Sequence, residues 1–184
     1  MAPYHVVLVH FPTALWLGAA LLIFLRVIDS GAVGRAADRA LPVFLVLGAI
    51  FGVATYAVGL LVWPWEALSS SPMGRNHMLT ASWSLGYFVL LTVLRLRLGE
   101  ALWHGMMRWV MLMLSGIGVV LVGVNGTLGG HLIGVYTEVG EVLRWLGWEV
   151  FSTYYVPNWT VALLVVLGLA MAALGIVAGR RRGA

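Results

Sequence analysis

Apolar residues run along this chain in long unbroken blocks, and the polar ones collect in short gaps between them. Five blocks reach the roughly 20 residues that a helix needs to cross a hydrocarbon core. They cover about residues 4–25, 41–63, 76–94, 107–128 and 157–178. The first ends at Arg26. The second opens with Pro42, a residue suited to a helix first turn, and closes at Pro64. The third ends at Arg95 and Arg97. The fourth starts beside Arg108 and gives way to Gly129-Gly130, and the fifth stops at Arg180, Arg181 and Arg182. The pattern predicts an all-α integral membrane protein: a single five-helix transmembrane bundle spanning residues 1–184.

Between the fourth and fifth blocks the period changes. Over about 138–151, Val139, Val142, Leu143, Leu146 and Val150 recur at helical spacing, with Glu138, Glu141 and Arg144 on the other face. That predicts an amphipathic helix on the outer surface, serving as a lid over the bundle or lying flat on the membrane. Residues Asp29 to Arg39 read as a solvated turn, and the sequence gives no internal repeat.

Composition agrees with the hydropathy pattern. Of 184 residues, 61% are hydrophobic and 10% charged, where a soluble domain carries about a quarter charged. All eleven basic residues are arginine. With five crossings, Arg26, Arg35, Arg39, Arg95, Arg97, Arg108 and the three tail arginines share one side. Only Arg75 and Arg144 lie on the other. The positive-inside rule then puts the N-terminus outside and the C-terminus in the cytoplasm. The formal charge of +4 comes from these flanking arginines, so the expected partner is the lipid bilayer and not nucleic acid. The N-terminus lacks a basic n-region and its apolar run exceeds an h-region, so it reads as a retained span. Trp63, Trp65 and Trp159 suit the outer interface and Trp103 and Trp109 the inner one, while Trp16 and Trp83 read as core. Absence of cysteine excludes disulfides, Cys-ligated iron–sulfur clusters and C-x-x-C-H haem attachment.

The candidate chemistry lies in histidine. Taking Arg26, Arg95 and Arg108 as a common depth, at about 1.5 Å per residue, four of five histidines fall near the outer rim; His104 is on the inner side. His10 and His77 match in height, and so do His5 and His131. Ionisable groups inside membranes are costly and tend to mark function, and neutral imidazoles at one height on neighbouring helices suit an iron porphyrin. His10 and His77 are the first choice of axial pair, His5 and His131 the second. Gly116, Gly123 and Gly130 recur every seven residues, with Gly118, Gly126 and Gly129 nearby and Gly48 and Gly52 on the second block. Such residues allow close helix packing, or leave Gly123, Gly126 and Gly130 as a wall for a flat cofactor. Pro12 cannot donate to the Leu8 carbonyl; it either frees that oxygen to orient a ligand or marks the helix start.

At these residues the chain resembles a bacterial family of small membrane proteins of largely unassigned function. Its members open with a pattern like H-x-x-x-V-H-F-P, begin a later span with histidine, and end another in G-G-[EH]-L before a short tyrosine- and glycine-containing segment. Here these read His5-Val6-Val7-Leu8-Val9-His10-Phe11-Pro12, His77, and Gly129-Gly130-His131-Leu132 with Tyr136 and Gly140 beyond. The match covers about residues 5–140. Val6 stands where many members have proline, and Thr137-Glu138 where a basic residue and histidine are common. The resemblance implies a redox or cofactor-associated protein of the bacterial inner membrane.

The resulting expectation is a membrane b-type cytochrome that holds haem b near the periplasmic side. It would transfer electrons between a quinol and a periplasmic carrier or other respiratory subunits, as an electron-transfer protein and not a stand-alone enzyme. Two alternatives stay open: a cofactor-free anchor or assembly subunit of a redox complex, and a periplasm-facing transition-metal site at His5 and His131. Ser69, Ser70 and Ser71 lie near His77 without a nucleophile-elbow pattern or a third triad member, and read as loop and cap residues.

Overall fold

The computed structural model describes residues 2–148, with side chains from Tyr4, and the separate helical positions 158, 159, 162, 163, 165–167, 169, 170 and 173. The expected fifth span over 157–178, the arginine tail and the end of the 138–151 helix fall wholly or mostly outside them. The described part is helical, with α1 (Ala2–Leu8), α2 (His10–Ile28), α3 (Ala32–Val62), α4 (Trp65–Ser70), α5 (Pro72–Leu98), α6 (Met107–Leu132) and α7 (Glu138–Trp145). A 3-10 turn, Gly99–Trp103, joins α5 to α6. Four stretches are long and apolar enough to cross a membrane: Tyr4–Ile28, Ala32–Val62, Pro72–Trp103 and Met107–Leu132.

The helix ends follow from local chemistry. Ser71 caps α5, its hydroxyl accepting the Gly74 N–H at 3.0 Å, with Pro72 in the first turn. The segment expected to be a solvated turn is instead the start of α3, which begins nine residues before Leu41. Asp29 makes this possible: its two carboxylate oxygens accept the Gly31 and Gly34 N–H groups at 2.8 and 2.7 Å. These are two of the donors that a helix N-terminus leaves unpaired. The Gly31 and Gly34 bonds hold the Asp29 carboxyl below its ordinary pKa.

Two prolines leave carbonyls open, and the bundle fills both. Pro12 gives Leu8 no donor while Val9 stays helical, and the Thr55 hydroxyl donates to the Leu8 carbonyl at 3.3 Å. Pro42 lies inside α3, not in its first turn. The Asp38 carbonyl that it frees takes Arg95 Nη2 at 3.4 Å, and the same Arg95 atom pairs with Asp38 Oδ1 at 2.8 Å. A neighbouring helix thus replaces the missing backbone donor in each case.

The four long helices form a ring in which α2 packs on α3 and α6, and α5 packs on α6 and α3. This is the pairing of two helical hairpins, α2–α3 and α5–α6, about a pseudo-twofold axis. The buried positions confirm it. Pro12, Trp16, Ala19 and Ala20 of α2 correspond, 72 residues on, to Ser84, Phe88, Leu91 and Thr92 of α5. Leu41, Leu45, Gly48 and Gly52 of α3 correspond, 70 residues on, to Met111, Ser115, Gly118 and Val122 of α6. All of them are buried. Trp16 and Phe88, equivalent residues, stack across the axis with centroids 4.7 Å apart and planes 7° apart. Trp16 lies against Gly48 and Phe88 against Gly118, again equivalents.

An internal repeat therefore exists that the sequence reading missed. Over residues 4–26 against 76–98 and 41–62 against 111–132, the only identities are His5/His77, Leu22/Leu94, Gly48/Gly118 and Gly59/Gly129. Burial matches at the mid-bundle positions named above and not throughout, since Asn76, Asp38 and Val124 are buried where Tyr4, Arg108 and Ala54 are exposed.

The repeat has two different ends. One, the arginine end, gathers Arg26, Asp38, Arg95, Glu100 and Trp103: Trp103 Nε1 donates to Asp38 Oδ1 at 2.8 Å, and Arg26 lies over the Trp103 ring and pairs with Glu100. The other, the histidine end, carries His5, His77 and His131, and α7 folds back onto it. Thr137 caps α7, its hydroxyl meets that of Thr127 at 2.9 Å, and Leu143 is buried with Val124 and Leu128. The amphipathic segment is thus helical over Glu138–Trp145 and rests along the side of α6.

A candidate histidine-pair site on the pseudo-twofold axis

His5 and His77 are equivalent positions of the two hairpins, and both stand, partly buried, at the histidine end. Each docks its ring on the second helix of its own hairpin in the same way. His5 Nδ1 is 3.1 Å from the Thr55 carbonyl oxygen and His77 Nδ1 is 3.2 Å from the Asn125 carbonyl oxygen. A carbonyl only accepts, so each contact calls for a proton on Nδ1. Four residues beyond each acceptor stands a glycine. A Cβ at Gly59 would lie 2.7 Å from His5 Cε1, and one at Gly129 would lie 2.9 Å from His77 Cε1. Only glycine admits the ring there. The edge of Trp63 closes over His5, with centroids 5.2 Å apart.

Side chains tie the same levels together. The Thr55 hydroxyl donates to the Leu8 carbonyl, and the Thr80 hydroxyl is 3.2 Å from Asn125 Oδ1. Leu8 and Thr80 are equivalent positions 72 residues apart, so one cross-tie occurs twice with its hydrogen bond reversed. Thr55 and Thr80 are buried, and below them the stacked Trp16–Phe88 pair fills the axis.

The other expected site residues lie elsewhere. His10 is exposed and its Nδ1 meets its own helix at the Val6 carbonyl, 2.8 Å away. His131 Nδ1 likewise meets the Thr127 carbonyl at 2.8 Å, with the Tyr136 edge against the ring. The repeat agrees with the first placement: His10 is equivalent to Ser82, and both are exposed. Of the expected glycine wall, Gly126 has no atom within 4 Å of a would-be Cβ, Gly123 meets Val139 of α7, and Gly130 meets the Val135 carbonyl. His104 Nδ1 meets the Glu100 carbonyl at the arginine end.

The depth pairing of histidines went astray for a physical reason. Arg95, used as a rim marker, is drawn into the bundle by Asp38, its side chain 13% exposed. Arg26, the marker for His5 and His10, is drawn in as well, its side chain 14% exposed. Height also says nothing of azimuth. Thr55, Gly59 and Asn125 were not singled out at all; the usable signal was the recurring [Thr/Asn]-x-x-x-Gly at 55–59 and 125–129.

Among the described residues no three His, Cys, Asp or Glu side chains gather into a metal-binding group. Comparison with protein-family models, with curated proteins and with solved structures yields no match. The fold and site thus define a class only: a multi-pass helical membrane protein with a two-histidine site at one end.

Proposed function

We propose that this protein is a small b-type cytochrome of the bacterial inner membrane, N-terminus outside, in which His5 and His77 would hold haem b near the periplasmic side. Electrons would pass between a membrane quinol and a periplasmic carrier or other respiratory subunits. The observation that carries this reading is a pair of neutral imidazoles from separate crossings, each with Nδ1–H on a main-chain carbonyl and Nε2 available. Metal-ligating histidines are typically held by such a bond, which fixes the tautomer and raises the basicity of the other nitrogen. The donor number suits the group. A zinc or copper ion bound by protein alone asks for three or four ligands, whereas an axial pair is two.

Bound haem supplies one-electron exchange. The polypeptide supplies the rest: Thr55 and Asn125 hold the rings, Gly59 and Gly129 let them lie close, and the Trp16–Phe88 stack keeps water from the axis. The nine arginines expected on the opposite side support the N-out orientation, and the family resemblance points to redox chemistry.

The test is the absorption spectrum of the full chain, purified in detergent from haem-replete cells. A Soret band and a pyridine haemochrome are expected, lost in His5→Ala and His77→Ala and kept in His10→Ala. A colourless wild type, or pigment that survives both axial substitutions and vanishes with His10, overturns the proposal.

A further inference from the structure

We propose that Thr55 and Asn125 are positioning residues that lock the His5 and His77 imidazoles in the Nδ1–H tautomer, through a mount built twice from the motif [Thr/Asn]-x-x-x-Gly. The mount has three parts, each present in both hairpins. The carbonyl of the first residue already accepts the N–H of the glycine four residues on, as in any α-helix, and its second lone pair takes the histidine N–H. The glycine removes the side chain that would stand beside that oxygen: a Cβ would be 2.7 Å from His5 Cε1 at Gly59 and 2.9 Å from His77 Cε1 at Gly129. The side chain of the first residue also reaches the helix that bears the histidine: the Thr55 hydroxyl donates to the Leu8 carbonyl, and Asn125 Oδ1 lies 3.2 Å from the Thr80 hydroxyl, which also has the Asn76 carbonyl at 2.9 Å.

The first mount carries a second bond. Val9 stays helical and its N–H reaches the His5 carbonyl at 3.0 Å, so the one gap is the Leu8 carbonyl that Pro12 leaves open. Thr55 answers it with its hydroxyl while its own carbonyl takes His5. One residue thus meets both the open carbonyl and the ring. Histidine and glycine stand at the same positions of both hairpins, His5/His77 and Gly59/Gly129.

The haem reading is needed here only for what the two Nε2 atoms meet; the tautomer belongs to the polypeptide. The experiment is 15N NMR of the full chain, labelled at histidine and held in lipid nanodiscs in its reduced state. His5 and His77 are expected to give Nδ1–H, Nε2-unprotonated signatures. Gly59→Ala should abolish that signature for His5 alone and Gly129→Ala for His77 alone, while Gly126→Ala moves neither. Where a glycine variant does not fold, Thr55→Val should split the His5 signal between tautomers and Thr55→Ser should restore it. An Nε2–H signature at either residue in the wild type, or glycine and threonine variants that leave both rings unchanged, overturns the inference. A colourless protein with both Nδ1–H signatures intact sinks the haem reading alone. Pigmented protein with Nε2–H rings sinks the mount alone.

Discussion

Removing the Asp38 carboxylate asks whether charge pairing inside the bundle, or apolar packing alone, holds the arginine end together. Asp38 Oδ1 accepts from Arg95 Nη2 and from Trp103 Nε1, both at 2.8 Å, and its side chain is 5% exposed. In Asp38→Ala the Arg95 guanidinium stays in place with Nε already unpartnered and keeps only the Asp38 carbonyl. A buried charge stripped of its partner costs about 3–5 kcal/mol. An exposed pair such as Arg144–Glu141, with side chains 51% and 67% exposed, is worth about 0–1 kcal/mol. The two cases are therefore well separated. Asp38→Ala combined with Arg95→Leu removes both charges, and the double variant should lose much less than the sum of the singles. Reversible unfolding of the detergent-solubilised protein in SDS measures all four corners of the cycle. An Asp38→Ala loss below about 1 kcal/mol, or strict additivity in the double variant, would refute the argument.

Further outcomes follow from the same geometry. Gly116→Ala and Gly126→Ala meet nothing within 4 Å and should each stabilise by about 0.5–1 kcal/mol, the helix-propensity difference. Gly118→Ala should destabilise, since its Cβ would come within 2.9 Å of the Phe88 ring in the stacked pair; the same unfolding assay reads both signs. Gly34→Ala should be the more disruptive at the start of α3, because its Cβ would collide with the rigid Asp29 carbonyl. Loss of helical circular dichroism checks it. Ser71→Ala removes the α5 cap and should cost about 1 kcal/mol. Asp29 has a folded-state pKa below its unfolded value, so its contribution is fully present above the unfolded pKa and is lost as pH falls through the folded one. Stability measured from pH 6 downward should therefore decline through the acidic range near and below about 4, and Asp29→Asn should flatten that limb.

The sequence alone determined the class of molecule: membrane-spanning helices, recognisable from length and hydropathy because unpaired backbone groups are untenable in lipid. It also placed four of the five histidines towards one end and most arginines towards the other, since rise per residue converts position into depth. Tertiary structure decided which histidines meet. Azimuth about each helix is set by packing, and it laid His5 and His77 on the second helix of their own hairpins while leaving His10 exposed. It decided the start of α3 as well, where Asp29 supplied a cap that made helix of an apparent turn. The twofold relation between the hairpins was illegible for the same reason: a bilayer core asks for shape, so burial was kept at the mid-bundle positions while residue identity drifted, except where a ring had to lie against a glycine.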